Sequence, residues 1–167
     1  MWVKQHGIWL VLVGLLAGMG FFQTRGLVSG APPAIQGNSL DGKAFDLTHL
    51  SGRPSIIYFW ASWCAVCKAM QGNVQAVATD HPIITLALKS GDAAEVREYM
   101  RKEKFSVPVI LDESGEMAQR YGIRGVPTVF FLDAGGNISF TASGYTSEAG
   151  LRFRLWLAGK LSDRSVR

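Results

Sequence analysis

Cysteine is almost absent: two occur in 167 residues, Cys64 and Cys67, both within WASWCAVCKAM, Trp60 to Met70. That scarcity excludes a small fold held by several disulfides. Histidine is nearly as scarce, with only His6, His49 and His81, and no H-x3-5-H pair exists. Structural zinc takes four Cys or His ligands and does not find them here. Cu(I) is soft enough to be held by two thiolates alone, so ligand count leaves copper open. Charge is thin at 18% of residues, and Lys and Arg form no cluster. The formal net charge is +4, but Lys4 and Arg25 belong to a first thirty residues that contain no acid. Taking those two from the 17 basic residues leaves 15 against 13 acids. So even a balance argues against nucleic acid as a partner. Internal repeats and low-complexity tracts are also missing.

What is present at the start is apolar. Gly7 to Phe22, GIWLVLVGLLAGMGFF, is apolar throughout, and no charge falls between Lys4 and Arg25. As a helix, Gln5 to Thr24 would span about 30 Å at roughly 1.5 Å per residue, the thickness of a bilayer core. Trp2 and Trp9 at one end and Phe21-Phe22 at the other suit interfacial positions. The alternative is a cleaved signal peptide, for which the apolar core is long and Arg25 badly placed; Val28 to Ala31 is a small-residue cut site. A retained anchor is the favoured reading. The flanking charges nearly tie and do not orient it. The expected division is a flank over 1–6, a transmembrane anchor over 7–24, a Gly/Pro-rich linker over 25–38, a domain over 39–162 and a tail over 163–167.

Past the linker, β and α patterns alternate. Lys43 to Leu47 reads as a short strand. Ser55 to Trp60 (SIIYFW) and Ile83 to Leu88 (IITLAL) have the unbroken apolar character of buried strands. Between them Cys64 to about Ala78 fits a helix ended by His81-Pro82. Asp92 caps a second helix with Val96, Tyr99 and Met100 on one face. Val109 to Leu111 is a strand, Glu116 to Tyr121 a short helix, and Pro127 to Leu132 a strand. Gly135-Gly136-Asn137 turns the chain back through Ile138 to Thr141. Ser147 caps a last helix carrying Leu151, Leu155 and Leu161. The pattern predicts an α/β sandwich with a mixed sheet.

Two cysteines two residues apart can staple the fold, hold a metal or exchange electrons. A staple closing so small a loop contributes only roughly 2 kcal/mol. The redox reading has a mechanism. Cys64 falls where a strand gives way to a helix, so free N–H groups and the positive end of the helix dipole favour its thiolate. Cys67 lies one turn further on, placed to attack a mixed disulfide on Cys64 and release the partner.

Phe59 to Lys68, FWASWCAVCK, resembles the active-site strand and helix start of the thioredoxin superfamily. Gly125-Val126-Pro127-Thr128 resembles that family's second hallmark. The resemblance runs from about Ala34 to Leu161 and implies a thioredoxin-like sandwich, a mixed central sheet flanked by helices. It also implies a cis bond at Val126–Pro127, a cis-proline loop lying against the cysteines, and a substrate strand paired to the backbone of Val126. It is closest to the membrane-anchored, TlpA-like disulfide reductases of the bacterial cell envelope, which carry a β-hairpin before the active-site strand and an inserted mid-domain helix. LKSGDAAEVREYM, PVILDESG and YGIRGVPTVFFLD look most like the ScsD-type proteins associated with suppression of copper sensitivity.

The resemblance implies a thiol–disulfide oxidoreductase, a reductase of envelope protein disulfides, with Cys64 attacking and Cys67 resolving. The implied location is the inner membrane, single-pass, with the domain in the periplasm. The implied partners are disulfide-bearing envelope proteins and a membrane thiol donor of the DsbD type, with no cofactor. Alternatives are a cytochrome c maturation protein, disfavoured by Thr128 where an acid usually follows the cis-proline, and a Cu(I)-binding module without turnover. A thiol peroxidase is excluded, because Ala61 and Ile57 stand where P-x-x-x-T-x-x-C needs Thr and Pro. Thioredoxins also bury an acid two residues before the tryptophan, where this chain has Tyr58. Trp63 either offers a flat surface to a partner or packs over the helix end. Arg124 either selects substrates or is a solvated loop charge.

Overall fold

The computed structural model describes residues 26–35, 37, 39–42 and 45–165. The expected anchor over 7–24 lies outside them, and among the described residues no helix is long and apolar enough to cross a membrane. Five strands form one sheet: β1 (Ser55–Trp60), β2 (Ile83–Leu88), β3 (Val109–Asp112), β4 (Thr128–Leu132) and β5 (Ile138–Ser143), in the order β3-β2-β1-β4-β5. β1 pairs in parallel with β2, and β2 with β3, while β4 runs antiparallel to both β1 and β5. The sheet is mixed, as the alternation of elements predicts.

The helices are α1 (Ala65–Val77), α2 (Ala93–Glu103), α3 (Glu116–Arg120) and α4 (Glu148–Ser165). β1 is central and all six of its residues are buried, which explains its unbroken apolar run. Its side chains alternate between two layers. Ile56, Tyr58 and Trp60 pack with Cys67, Met70 and Val74 of α1 and with Leu151 and Leu155 of α4. Ile57 and Phe59 face the other layer, with Ile84, Phe130, Met117 and Tyr121. There the rings of Phe59, Tyr121 and Phe130 meet at centroid separations of 5.1 to 6.0 Å, a spacing at which tilted and edge-on aromatic contacts are favourable.

Helix starts follow their capping residues. Asp92 accepts from the backbone of Ala94 and Glu95, and Glu95 returns a bond to the Asp92 N–H, completing a capping box. Lys104 ends α2 in a left-handed turn. Ser147 accepts from Gly150 N–H at 3.2 Å at the start of α4. Leu151 and Leu155 are buried there, but Leu161 is exposed, as are Phe153 and Trp156, stacked on the outer face.

The segment before β1 departs from expectation. Lys43 to Leu47 reads as a strand, but Phe45 and Asp46 are irregular and Leu47–Leu50 forms a 3-10 turn. The reason is local: Asp46 accepts from Thr48 N–H at 2.8 Å and caps the turn. The hairpin implied before the active-site strand is not formed among the described residues; this region contributes one isolated bridge, Ser39 to Ile110. Residues 26–35 lie along the domain, where Leu27, Val28 and Ile35 pack against the Phe59 layer. Gly30 bridges to Ile138.

Asp112 ties β3 to α3. It is buried, and its carboxylate accepts from Met117 N–H at 3.1 Å and Ala118 N–H at 2.8 Å. Asp112→Ala leaves two buried donors without a partner. A loss of about 2–4 kcal/mol in urea unfolding is expected; a loss under about 0.5 kcal/mol would show that the carboxylate does not hold this corner together.

Candidate active site

The site is built where β1 ends. The chain leaves Trp60, turns through Ala61, Ser62 and Trp63, and enters α1 with Cys64 as its N-cap. Two stitches fix the turn to the loop after β2. Ser62 N–H donates to Ser90 Oγ at 3.0 Å, and Trp63 Nε1–H donates to Lys89 O at 3.0 Å. Lys89 adopts a left-handed conformation, φ 44°, which brings that loop into place. Beneath, Trp60 Nε1–H donates to Thr85 Oγ1 at 3.0 Å, and the indole stacks on Tyr99. The floor is therefore rigid and its polar group satisfied.

Cys64 and Cys67 are joined as a disulfide with their Cα atoms 5.2 Å apart. They are not equivalent. Cys64 is 8% exposed and Cys67 is fully buried. Cys64 Sγ takes the place an Asp or Ser oxygen usually holds at a helix start: Cys67 N–H donates to it at 3.1 Å. Negative charge on this sulfur is thus met by a backbone donor and by the positive end of the α1 dipole. Sulfur of Cys67 faces the apolar layer between sheet and helix.

The Val126–Pro127 bond is cis, as the resemblance implies. Val126 O lies 3.5 Å from Cys64 Sγ, so residues 62 positions apart in sequence meet at the reactive sulfur. Thr128 Oγ1–H donates to Gly125 O at 2.8 Å, and Gly144 N–H donates to Pro127 O at 2.8 Å, which pins both sides of the loop. Trp63 stands beside Cys64 and is 66% exposed; its nitrogen is bonded inward while its ring face lies open. The structure thus gathers Trp63, Cys64, Cys67, Val126 and Pro127 into one place.

Two charged or polar neighbours behave differently from a simple reading. Lys68 is held by Glu103 at 2.7 Å, and this bond pushes its ammonium pKa upward. It is directed to α2 and away from the sulfurs. Tyr58, which stands where thioredoxins bury an acid, is fully buried in the same layer as Cys67. Among the described residues it holds the one buried side-chain oxygen or nitrogen with no hydrogen-bond partner. Burial pushes its ionisation far above the ordinary phenol range. It is neutral throughout the physiological range and does not serve as a base. Sequence reasoning missed Tyr145, whose exposed ring stands by the site after Gly144 and whose hydroxyl accepts from Asn73 Nδ2 at 3.1 Å. No spacing from the cysteines could have flagged it, since the contact depends on the β5–α4 corner. Among the described residues no group of three or more His, Cys, Asp or Glu side chains is placed to hold a metal ion.

The geometry matches known proteins. The Redoxin family model matches residues 29–152. A thioredoxin-like protein of Haemophilus influenzae is 32% identical over 121 residues, covering 71% of this chain and 72% of that protein. Sporulation thiol-disulfide oxidoreductase A of Bacillus subtilis is 28% identical over 145 residues, covering 82% and 87%. The crystal structure of StoA from Bacillus subtilis superposes with a TM-score of 0.64 at 25% identity, covering 74% of this chain and 96% of that one.

The two thiols should differ sharply once reduced. Iodoacetamide at pH 7, with the products mapped by mass spectrometry, should modify Cys64 at least about tenfold faster than Cys67, because thiolate character and access both favour it. Equal rates would contradict the N-cap account. Tyr58→Phe removes a buried hydroxyl that has no partner, so stability to urea should stay level or rise by up to about 1 kcal/mol. A clear loss would reveal a bond to that hydroxyl.

Proposed function

The chain belongs to the Redoxin family and is a thiol–disulfide oxidoreductase with a C-x-x-C pair; from that premise we propose that it is a membrane-tethered reductase of disulfides in cell-envelope proteins. One observation carries the mechanism: the partly exposed sulfur of Cys64 caps α1 at 3.1 Å from Cys67 N–H, with Cys67 sealed behind it. Cys64 thiolate attacks one sulfur of a substrate disulfide. A Cys64–substrate bond forms, and the other substrate sulfur leaves as a thiolate that takes a proton from water. Cys67, deprotonated, then attacks Cys64 Sγ. The Cys64–Cys67 bond forms and the second substrate thiolate departs. Two electrons pass to the substrate and the protein is left oxidised. The substrate segment is held in extended form against the backbone of Val126, beside cis Pro127, with Trp63 presenting its open face.

The reductase direction is supported by how little holds the Cys64 thiolate. Strong thiolate stabilisation makes a dithiol an oxidant, because it favours the reduced form. Here one backbone donor and a helix end act, Ala65 and Val66 bring no charge, and Lys68 is drawn off to Glu103. Electrons return from a membrane thiol donor of the DsbD type. The uncharged run from Gln5 to Thr24 supports a single inner-membrane span with the domain in the periplasm. Likeness to ScsD-type proteins supports a part in copper tolerance.

Cys67→Ser tests the exchange. Without the resolving thiol, Cys64 should accumulate mixed disulfides with envelope proteins, seen as adducts on non-reducing gels that dithiothreitol dissolves and that Cys64→Ser/Cys67→Ser lacks. No adducts would refute the exchange. The direction is read from equilibrium with a glutathione buffer. A potential nearer to about −270 mV than to about −120 mV is expected of a reductase.

A further inference from the structure

Next to the nucleophile the surface opens into a groove of about 340 Å³, lined among others by Leu27, Arg124, Val126, Pro127, Ser143 and Gly144. Its inner limit is the Val126 carbonyl, 3.5 Å from Cys64 Sγ. Large apolar side chains stand open around the same sulfur: Trp63 before it, Val66 between the cysteines and Tyr145 after Gly144. Exposed apolar clusters of this kind mark contact surfaces. Within the groove only Arg124 carries a charge, and no acidic residue lines it. Arg124 is exposed and lies against Gly26, where an added Cβ would stand 3.4 Å from its Nη2.

Arg124 is also distinct among the arginines. Arg53, Arg97 and Arg154 donate to backbone carbonyls; Arg101, Arg120 and Arg152 are paired with carboxylates. Among the described residues Arg124 has no hydrogen-bond or ion-pair partner. A solvated loop cation would be unremarked elsewhere on the surface. Here it sits two residues before Val126, the residue at the reactive sulfur. Two residues of chain span at most about 7 Å. A guanidinium offers a planar fork of donors that fits a carboxylate.

We propose that the groove is a selectivity site for partner disulfides whose attacked cysteine has an acidic residue nearby, and that Arg124 is the residue that reads the carboxylate. The inference rests on the oxidoreductase reading. A partner strand running past Val126 toward Arg124 places a side chain about two positions from its cysteine over the guanidinium. Apolar residues nearer the cysteine meet Trp63, Val66 and Tyr145. The ion pair adds nothing to the electron balance. It holds the partner's disulfide at Cys64 and raises the rate of the first attack.

The test uses the full-length chain, pre-reduced, in single turnover with two peptide disulfides of identical composition. One carries Glu two positions from the cysteine; in the other that Glu and a distal Gln are exchanged, so net charge is the same. Hydroxyethyl disulfide, small and uncharged, is the third substrate. The near-Glu peptide should react about twofold to fivefold faster, the range of an exposed ion pair. The preference should shrink as salt is raised, and Arg124→Glu should reverse it. Equal rates for the two peptides, or a preference that survives Arg124→Glu, overturns the assignment while leaving the oxidoreductase standing. Failure to reduce any of the three, hydroxyethyl disulfide included, overturns both.

Discussion

The reactive arrangement depends on one hydrogen bond, Cys67 N–H to Cys64 Sγ at 3.1 Å. It exists because a sulfur occupies the N-cap of α1, where an oxygen is the usual acceptor. The same bond serves three ends. It satisfies a donor that the helix start would otherwise leave open. It offers positive potential to the sulfur that must carry negative charge. It also fixes the spacing of the pair, since a helix begun at residue 65 brings residue 67 round beneath residue 64. Everything below it keeps that helix start still: the buried strand β1, the Trp60 indole bonded to Thr85, and the ties from Ser62 and Trp63 to the loop after β2.

The fold was largely legible from periodicity. SIIYFW and IITLAL are unbroken apolar runs because β1 and β2 are covered on both sides, and their observed limits match that pattern. Asp92 and Ser147 announced their helices through capping chemistry. The misreading at Lys43 to Leu47 has a physical cause. A few residues of mixed character carry no period, and the Asp46 carboxylate decided the conformation locally. Leu161 was placed with Leu151 and Leu155 by type, yet the outer face of α4 also bears Phe153 and Trp156, so apolar character alone did not identify the inner stripe.

At the site, legibility followed sequence distance. The C-x-x-C pair is local, and its asymmetry follows from helix geometry. The approach of Val126 to Cys64 is not local and came only through the family resemblance, as did the cis bond. Tyr145 was hidden for the same reason, with no resemblance to disclose it. Tyr58 shows a third case. Its departure from the thioredoxin pattern was visible in sequence, but only the structure shows the hydroxyl buried without a partner and held neutral. Deprotonation of Cys67 therefore cannot run through a base at that position. Water reaching the opened mixed disulfide is the remaining acceptor, and a substrate that shields the site would slow resolution.

Rigidity and openness are divided between the two sides of the reactive sulfur. Toward the core every polar group of the Trp60 and Ser62 turn is bonded, and Cys67 has no exposure. Toward solvent, Trp63, Val66 and Tyr145 spend their apolar faces on water and Arg124 holds no carboxylate. A monomer gains nothing in stability from either choice. Both make sense if the surface is completed by another chain for part of each cycle. Its contacts must be strong enough to orient a disulfide and weak enough to release two thiols. Scattered apolar contacts and a screened ion pair meet that condition, whereas a buried salt bridge would hold the product.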